Sequence, residues 1–283
     1  MEIIYLNGEY IPKDEARISP DDRGFLLADG IYEVVRWYGR DFFDMDGHIS
    51  RLKRSLSEIA IKWDEYPSFP AIARKLLELN DLENKEATIY LQVTRGAAKR
   101  SHTYPYPPVS PTVYAFASEL VTDEKIAVDG IRVMLKEDIR WSRCDIKSIA
   151  LLGNTMSFQE AWSNGYGECA FHRDRLITEC SHSNIFFIRD GVLLTHPESN
   201  FILSGITRNN TIRIAKSNGI TVKEEAVNTG ELEKVDESFV TNTRGEITPV
   251  TSIGDFVIGN GKPGPVTILL QEKFRNETAA LKH

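Results

Sequence analysis

Long apolar runs are missing from this chain of 283 residues. No stretch approaches the ~20 residues that a bilayer-spanning helix needs, so no membrane span is expected. The N-terminus, Met-Glu-Ile-Ile-Tyr-Leu-Asn-Gly, has no charged segment ahead of an apolar one, and no signal peptide is read there. Cysteine is scarce. Cys144, Cys169 and Cys180 are odd in number and lack metal-ligand spacing, which argues against a disulfide framework and for a reducing, cytoplasmic setting. Basic charge is also short: 34 Lys and Arg stand against 41 Asp and Glu, for a net charge of −7, and no long basic block occurs. A general nucleic-acid surface is thereby excluded, because phosphate binding requires a basic face. No Gly-x-Gly-x-x-Gly opens a helix, and no Walker loop, His-Glu-x-x-His or Gly-x-Ser-x-Gly is present, so neither a metal nor a nucleotide is expected from motifs.

What is present suits two domains of ordinary size. Residues 1–118 are expected to form a small N-terminal α/β domain, 119–130 a polar connection, and 131–283 a larger domain with a mostly β core. Ile3 to Leu6 and Glu9 to Ile11 flank Asn7-Gly8, a hairpin signal. Asp21-Asp22-Arg23-Gly24 reads as a turn. Ile31 to Tyr38 reads as a strand that turns through Gly39 into a second hairpin at Phe42-Phe43. From His48 the apolar period becomes helical, with Ile49, Leu52, Leu56 and Ile59 on one face and Arg51 elsewhere on the wheel. A second amphipathic helix is expected over Phe69, Ile72, Leu76, Leu77 and Leu79, followed by strands at Ala87 to Thr94 and Thr112 to Ala117. The second domain shows a strand at Ile131 to Leu135 and a helix-period segment (Leu151, Leu152, Met156, Phe158, Trp162). Short strands follow at Glu168, Leu176, Ile185 and Val192, and a helix runs through Val266 to Leu281.

Four stretches carry candidate chemistry. Lys147 sits between Ile146 and Ile149-Ala150-Leu151. Such a lysine either snorkels its head to solvent from an element end, or has a depressed pKa and serves as an amine nucleophile that forms a Schiff base. The proline-rich segment from Arg95 to Pro111 holds Arg95, Lys99, Arg100 and His102 in an irregular loop, either a solvated basic tip or a receptor for a small carboxylate or phosphate. Leu203-Ser-Gly-Ile-Thr-Arg opens a helix that Ser204 is expected to cap, with the N–H groups of Gly205, Ile206 and Thr207 facing an anion. The hydroxyl-rich turn Thr241-Asn-Thr243 is a further oxygen-anion cradle. Taken alone, Arg51 reads as an exposed helix arginine and Leu203 as ordinary core.

In order and spacing, four features resemble one family: Arg-Trp-x-Arg-Cys-Asp-Ile-Lys-Ser around Lys147, the Glu179 loop ending in Ser183-Asn184, the Leu203-x-Gly-Ile-Thr-Arg helix start, and the Thr-Asn-Thr turn. The chain resembles the class IV (fold type IV) pyridoxal-phosphate aminotransferases nearly end to end, from Asp22-Arg23-Gly24 and Asp29-Gly-Ile-Tyr-Glu33 to Glu246-Ile-Thr-Pro-Val250. Within that group it is most similar to bacterial D-amino-acid aminotransferases. The resemblance implies an α/β fold of two domains, the larger with a pseudo-barrel core. It implies that Lys147 holds pyridoxal 5'-phosphate as a Schiff base and then carries the proton at substrate Cα. It implies that Glu179 accepts the pyridine N–H, that Arg51, Gly205, Ile206, Thr207 and Thr243 hold the phosphate, and that Leu203 packs on the ring. Tyr32, Arg100 and His102 match the residues that hold the substrate α-carboxylate, on a loop that in the family reaches a neighbouring subunit; a homodimer with shared active sites is implied. The expected reaction moves the amino group of D-alanine or D-glutamate to 2-oxo acids such as 2-oxoglutarate, by a ping-pong cycle through pyridoxamine phosphate. Rival activities are branched-chain L-aminotransfer, aminodeoxychorismate lyase chemistry, and non-catalytic anion binding. One departure stands out: the Cys180-Ser-His-Ser183 run places His182 where the bacterial enzymes carry serine, and it reads as a packed structural histidine.

Overall fold

The computed structural model describes residues 2–282, which divide into two compact units. The first runs to Val121 and takes in Ile146–Ala150 and the residues from Ala280 on; the second is Thr122–Asp145 with Leu151–Ala279. The segment carrying Lys147 therefore belongs to the first unit, although the chain on both sides of it belongs to the second.

In the first unit β1 (Ile3–Leu6) and β2 (Glu9–Pro12) pair through the Asn7-Gly8 turn, where φ is 50° and 100° as a tight hairpin turn requires. Asp22 does more than turn the chain. Its carboxylate accepts the Gly24 N–H at 2.8 Å and caps a short helix, α1 (Arg23–Leu27). The strands β3 (Gly30–Tyr38), β4 (Glu86–Thr94) and β5 (Thr112–Glu119) complete an antiparallel sheet ordered β2-β1-β5-β4-β3. The expected second hairpin shrinks to a single bridge between Trp37 and Phe42, because Asp44 immediately caps α2 (Met45–Glu58) by accepting the Gly47 N–H. Two helices, α2 and α3 (Phe69–Leu79), cover the sheet, and Leu52, Leu56, Ile72 and Leu76 pack against Ile31, Val35, Ile89 and Leu91. β3 is an edge strand, and its rim is closed by the returning segment. Tyr32 N–H donates to the Lys147 carbonyl at 3.0 Å and Ile149 N–H to the Gly30 carbonyl at 3.1 Å.

In the second unit the polar connection contains a short helix, α4 (Glu124–Asp129), capped by Asp123. β6 (Ile131–Glu137) leads to α5 (Leu152–Ser163), and then come β7 (Glu168–Arg173), β8 (Leu176–Cys180), β9 (Asn184–Arg189), β10 (Val192–Thr195), α6 (Ile206–Ser217), β11 (Thr221–Glu224), β12 (Glu237–Asn242), β13 (Glu246–Ile253), β14 (Phe256–Val257) and α7 (Pro265–Ala279). These strands make one nine-stranded mixed sheet, ordered β11-β10-β9-β12-β13-β6-β7-β8 with β14 on β13. Asn184 through Ile188 are all buried, the pattern of a strand covered on both faces. The α5 stripe is reversed from expectation: Leu152, Met156 and Trp162 face solvent, while Ser157 and Ala161 are buried. Small side chains let the helix lie close to Cys169 and Phe171, so volume and not hydrophobicity selects the inward face. All three cysteines are free and buried, and burial pushes the Cys144 thiol up to about 11. No helix among the described residues is long and apolar enough to cross a membrane.

Candidate active site

On the first unit, Glu33 is fully buried and points to the same side of β3 as Ile31 and Val35. Its two oxygens accept Arg51 Nε at 2.7 Å and Nη2 at 2.8 Å, and His48 Nδ1 lies 3.0 Å away. Arg51 is thus buried and held in plane by a two-pronged carboxylate contact, not displayed on the surface of α2. Burial would raise the Glu33 carboxyl, but the Arg51 guanidinium and then His48 overcome it and hold it far below the usual carboxylate range. Burial also lowers His48.

A group whose folded pKa is depressed stabilises the fold above its unfolded pKa, and that contribution fades as pH falls through the folded value. Glu33→Gln is therefore expected to cost roughly 3–5 kcal/mol at neutral pH, the scale for breaking a buried pair. The gap from wild type should narrow below pH ~4. Denaturant melts of both proteins between acidic and neutral pH check this; a constant gap would refute it.

Lys147 is half-buried between buried Ile146 and Ser148. The apolar neighbours do not enclose it: its Nζ lies 4.3 Å from the centroid of the Tyr32 ring, and that ring stacks on Tyr90. Its backbone N–H donates to Ser55 Oγ at 3.4 Å.

The long loop separates its cations by role. Arg95 is buried and spent on structure, with Nε and Nη2 on Asp29 at 2.7 and 2.9 Å and further donations to the Ile59 and Ala60 carbonyls. Arg23 ties down the other side, donating to the Ser101 and Thr103 carbonyls at 2.7 and 3.3 Å. Arg100 and His102 alternate with those tethered residues and are exposed.

On the second unit, Glu179 is the penultimate residue of β8 and is buried. Arg140 Nη1 donates to its Oε1 at 2.8 Å, while Leu203 N–H and Asn184 Nδ2 donate to Oε2 at 2.9 and 3.2 Å. Burial pushes the carboxyl up to about 7 against the pull of Arg140 and the Leu203 N–H. Ser204 does not cap α6. The cap residue is Gly205, and Ser204 Oγ donates to Glu198 instead. A side chain at Gly205 would meet Asn184 Oδ1 at 2.0 Å, so glycine is required for the helix start to sit beside the residue that orients Glu179. With Gly205 as the cap, the first-turn N–H groups that lack an intrahelical acceptor are those of Ile206, Thr207 and Arg208. Thr243 lies half-buried in the turn after β12.

Glu168, to which the sequence reading gave no role, organises the loop after Glu179. It is buried and accepts the Ser181 hydroxyl, Ser183 Oγ at 3.0 Å and the Cys169 N–H at 2.8 Å. His182 is not packed inside: its side chain is half exposed, its Nδ1 lies 3.0 Å from Glu168, and its ring meets Phe158 edge-on.

The first unit offers a buried arginine and a lysine over a tyrosine ring, and the second a buried glutamate beside a glycine-capped helix start; each is a group of the kind enzymes use to hold an anion or move a proton. The sequence matches the profile "Amino-transferase class IV" over residues 30–253, and the chain belongs to that family. It is 41% identical over 275 residues to the D-alanine aminotransferase of Staphylococcus haemolyticus, covering 97% of each chain. Among solved structures it is similar to the branched-chain amino acid aminotransferase of Escherichia coli (TM-score 0.92, 25% identity, covering 100% of this chain and 96% of that one). It is also similar to the branched-chain aminotransferase of the thermophilic archaeon Thermoproteus uzoniensis with norvaline (TM-score 0.88, 25% identity, covering 99% and 96%).

Class IV aminotransferases are pyridoxal 5'-phosphate enzymes, and the residues present fit that group. Glu179 carries three donors on a carboxylate with about four acceptor sites, which leaves capacity for a pyridine N–H. A guanidinium, helix-start N–H groups and threonine hydroxyls are the donor chemistry a phosphate takes.

Proposed function

We propose that this chain transfers the amino group of D-alanine and similar D-amino acids reversibly to 2-oxo acids such as 2-oxoglutarate, as a pyridoxal 5'-phosphate-dependent aminotransferase. The observation that carries this reading is the 41% identity to a D-alanine aminotransferase over 97% of both chains; likeness to the branched-chain enzymes stays near 25%. When bound, the cofactor supplies an aldehyde to take up the amino group and a ring to accept the electron pair left at Cα. Lys147 Nζ attaches the cofactor and afterwards moves the proton at Cα. Glu179 accepts the N–H of the ring nitrogen. Arg51, the Ile206 and Thr207 N–H groups and the Thr207 and Thr243 hydroxyls bind the phosphate, and Leu203 packs on the ring.

Tyr32, Arg100 and His102 bind the substrate α-carboxylate. What supports this for the loop pair is exposure on a backbone that Arg23 and Arg95 hold in place. The exposed apolar side chains of Ile139, Trp141, Leu152, Met156 and Trp162 favour a homodimer, with the Arg100 loop serving the neighbouring subunit. The enzyme works in the cytoplasm.

Single half-reactions with D-alanine, D-glutamate and L-leucine, followed by loss of the bound cofactor's visible absorption, test the assignment. Conversion by the D-amino acids is expected; conversion by L-leucine alone would sink it. Arg100→Ala is expected to raise KM for D-alanine roughly 10- to 100-fold with a much smaller change in kcat, because a charge-assisted contact shared by ground and transition states is lost. Steady-state kinetics that leave KM unchanged would remove Arg100 from the carboxylate site.

A further inference from the structure

We propose that Arg140, clamped by Asp138, is the positioning residue that opposes the desolvation of Glu179 and favours its carboxylate form over the neutral acid where it meets the cofactor's ring nitrogen. The inference rests on the reading of Glu179 as the ring-nitrogen partner.

A carboxyl as deeply buried as Glu179 holds its proton unless a fixed cation opposes the desolvation. Arg140 Nη1 sits 2.8 Å from Oε1, and the two side chains are only 6% and 7% exposed. An arginine suits the task because it does not give up its proton and cannot neutralise its partner by transferring one.

Arg140 is in turn immobilised. Asp138, whose side chain is fully buried, accepts Arg140 Nε at 3.0 Å on one oxygen and Nη2 at 3.0 Å on the other. Arg173 Nε donates to the same carboxylate at 3.0 Å, and Arg173 Nη2 donates to the Arg140 and Trp141 carbonyls. The Arg140 guanidinium lies over the Phe171 ring at 4.4 Å. The charges alternate along the row Arg173, Asp138, Arg140, Glu179, so each cation is balanced and none has reason to swing away. The other groups facing Glu179 do not supply this charge. Asn184 and the Leu203 N–H are neutral donors, and burial raises the thiols of Cys144 and Cys180, which keeps them neutral.

The test uses the 283-residue chain labelled with carboxyl-¹³C glutamate, the Glu179 signal being assigned by its loss in Glu179→Gln. The signal is titrated without and with pyridoxal 5'-phosphate in wild type, Arg140→Met and Arg140→Lys. Arg140→Met is expected to move the Glu179 midpoint up by about 1–3 pH units. The acid limb of the D-alanine kcat/KM profile should move with it, and activity should recover at high pH. Arg140→Lys, which keeps the charge but not the fork, is expected to shift both by less. An unmoved midpoint in folded Arg140→Met, or activity lost equally at every pH, overturns the proposal. If Arg140→Met does not fold, an unmoved midpoint in Arg140→Lys does so. Wild-type kcat in Glu179→Gln would instead refute the ring-nitrogen reading and leave the measured effect of Arg140 on the Glu179 midpoint standing.

Discussion

Replacing Lys147 with alanine is expected to lower turnover of D-alanine with 2-oxoglutarate by at least about 10⁴-fold, the upper range for losing a positioned proton carrier. The loss of covalent attachment adds to it. The fold should survive the change, which makes the loss readable as chemistry. The segment is held by its backbone, with Tyr32 N–H on the Lys147 carbonyl and Lys147 N–H on Ser55 Oγ, and by the buried Ile146 and Ser148 on either side. Truncating the side chain forfeits its contact with the Tyr32 ring, an interaction of about 0.5–1 kcal/mol at a partly exposed position. Steady-state turnover, a thermal melt, and mass spectrometry of peptides after borohydride reduction together check the prediction. Wild type should show the cofactor's mass on the Lys147 peptide, and the variant should show none. A variant that keeps turnover within about tenfold of wild type would remove Lys147 from the proton-transfer step.

The elements were legible wherever one period ran uninterrupted. β3, β4, β5, α2 and α3 lie where alternation or helical spacing places them, within a few residues at each end. The motif residues could be named because a resemblance spread over the whole chain gave each a role. What the sequence hid is partnership. Nothing in the helical wheel of α2 shows that Arg51 turns inward, because its partner Glu33 lies 18 positions earlier on another element. A charged residue in phase with Ile31, Val35 and Trp37 was the available signal. Arg95 and Arg100 look alike in a proline-rich loop, and only the tertiary contact of Arg95 with Asp29 separates a structural cation from an exposed one. Ser204 does not cap α6, since its Oγ donates to Glu198, and the cap falls to Gly205, where a side chain would meet Asn184. Glu168 read as the first residue of a strand, since the hydroxyls that donate to it come from a loop more than ten residues later. Chain order also misassigns the Lys147 segment, which leaves its neighbours to pair with the rim of β3.

Glu179→Gln is expected to lower kcat for D-alanine by about 10²–10³-fold, the scale found when one preorganised electrostatic contact to developing charge is removed. The substitution keeps the shape and removes the charge. A glutamine side chain offers one acceptor oxygen where Arg140, Leu203 and Asn184 bring donors to two, and its amide NH₂ would face at least one of them. In the proposed role, Glu179 would hold the proton on the ring nitrogen of a bound cofactor, and glutamine would not supply the charge that favours that proton. The residues proposed to hold the phosphate are unchanged in this variant, so the cofactor should still bind, and the drop should fall on kcat more than on KM. Rapid-mixing half-reactions separate the two: a slowed conversion of bound cofactor at saturating D-alanine supports the assignment, whereas normal conversion with weakened cofactor binding would recast Glu179 as a residue that only shapes the pocket.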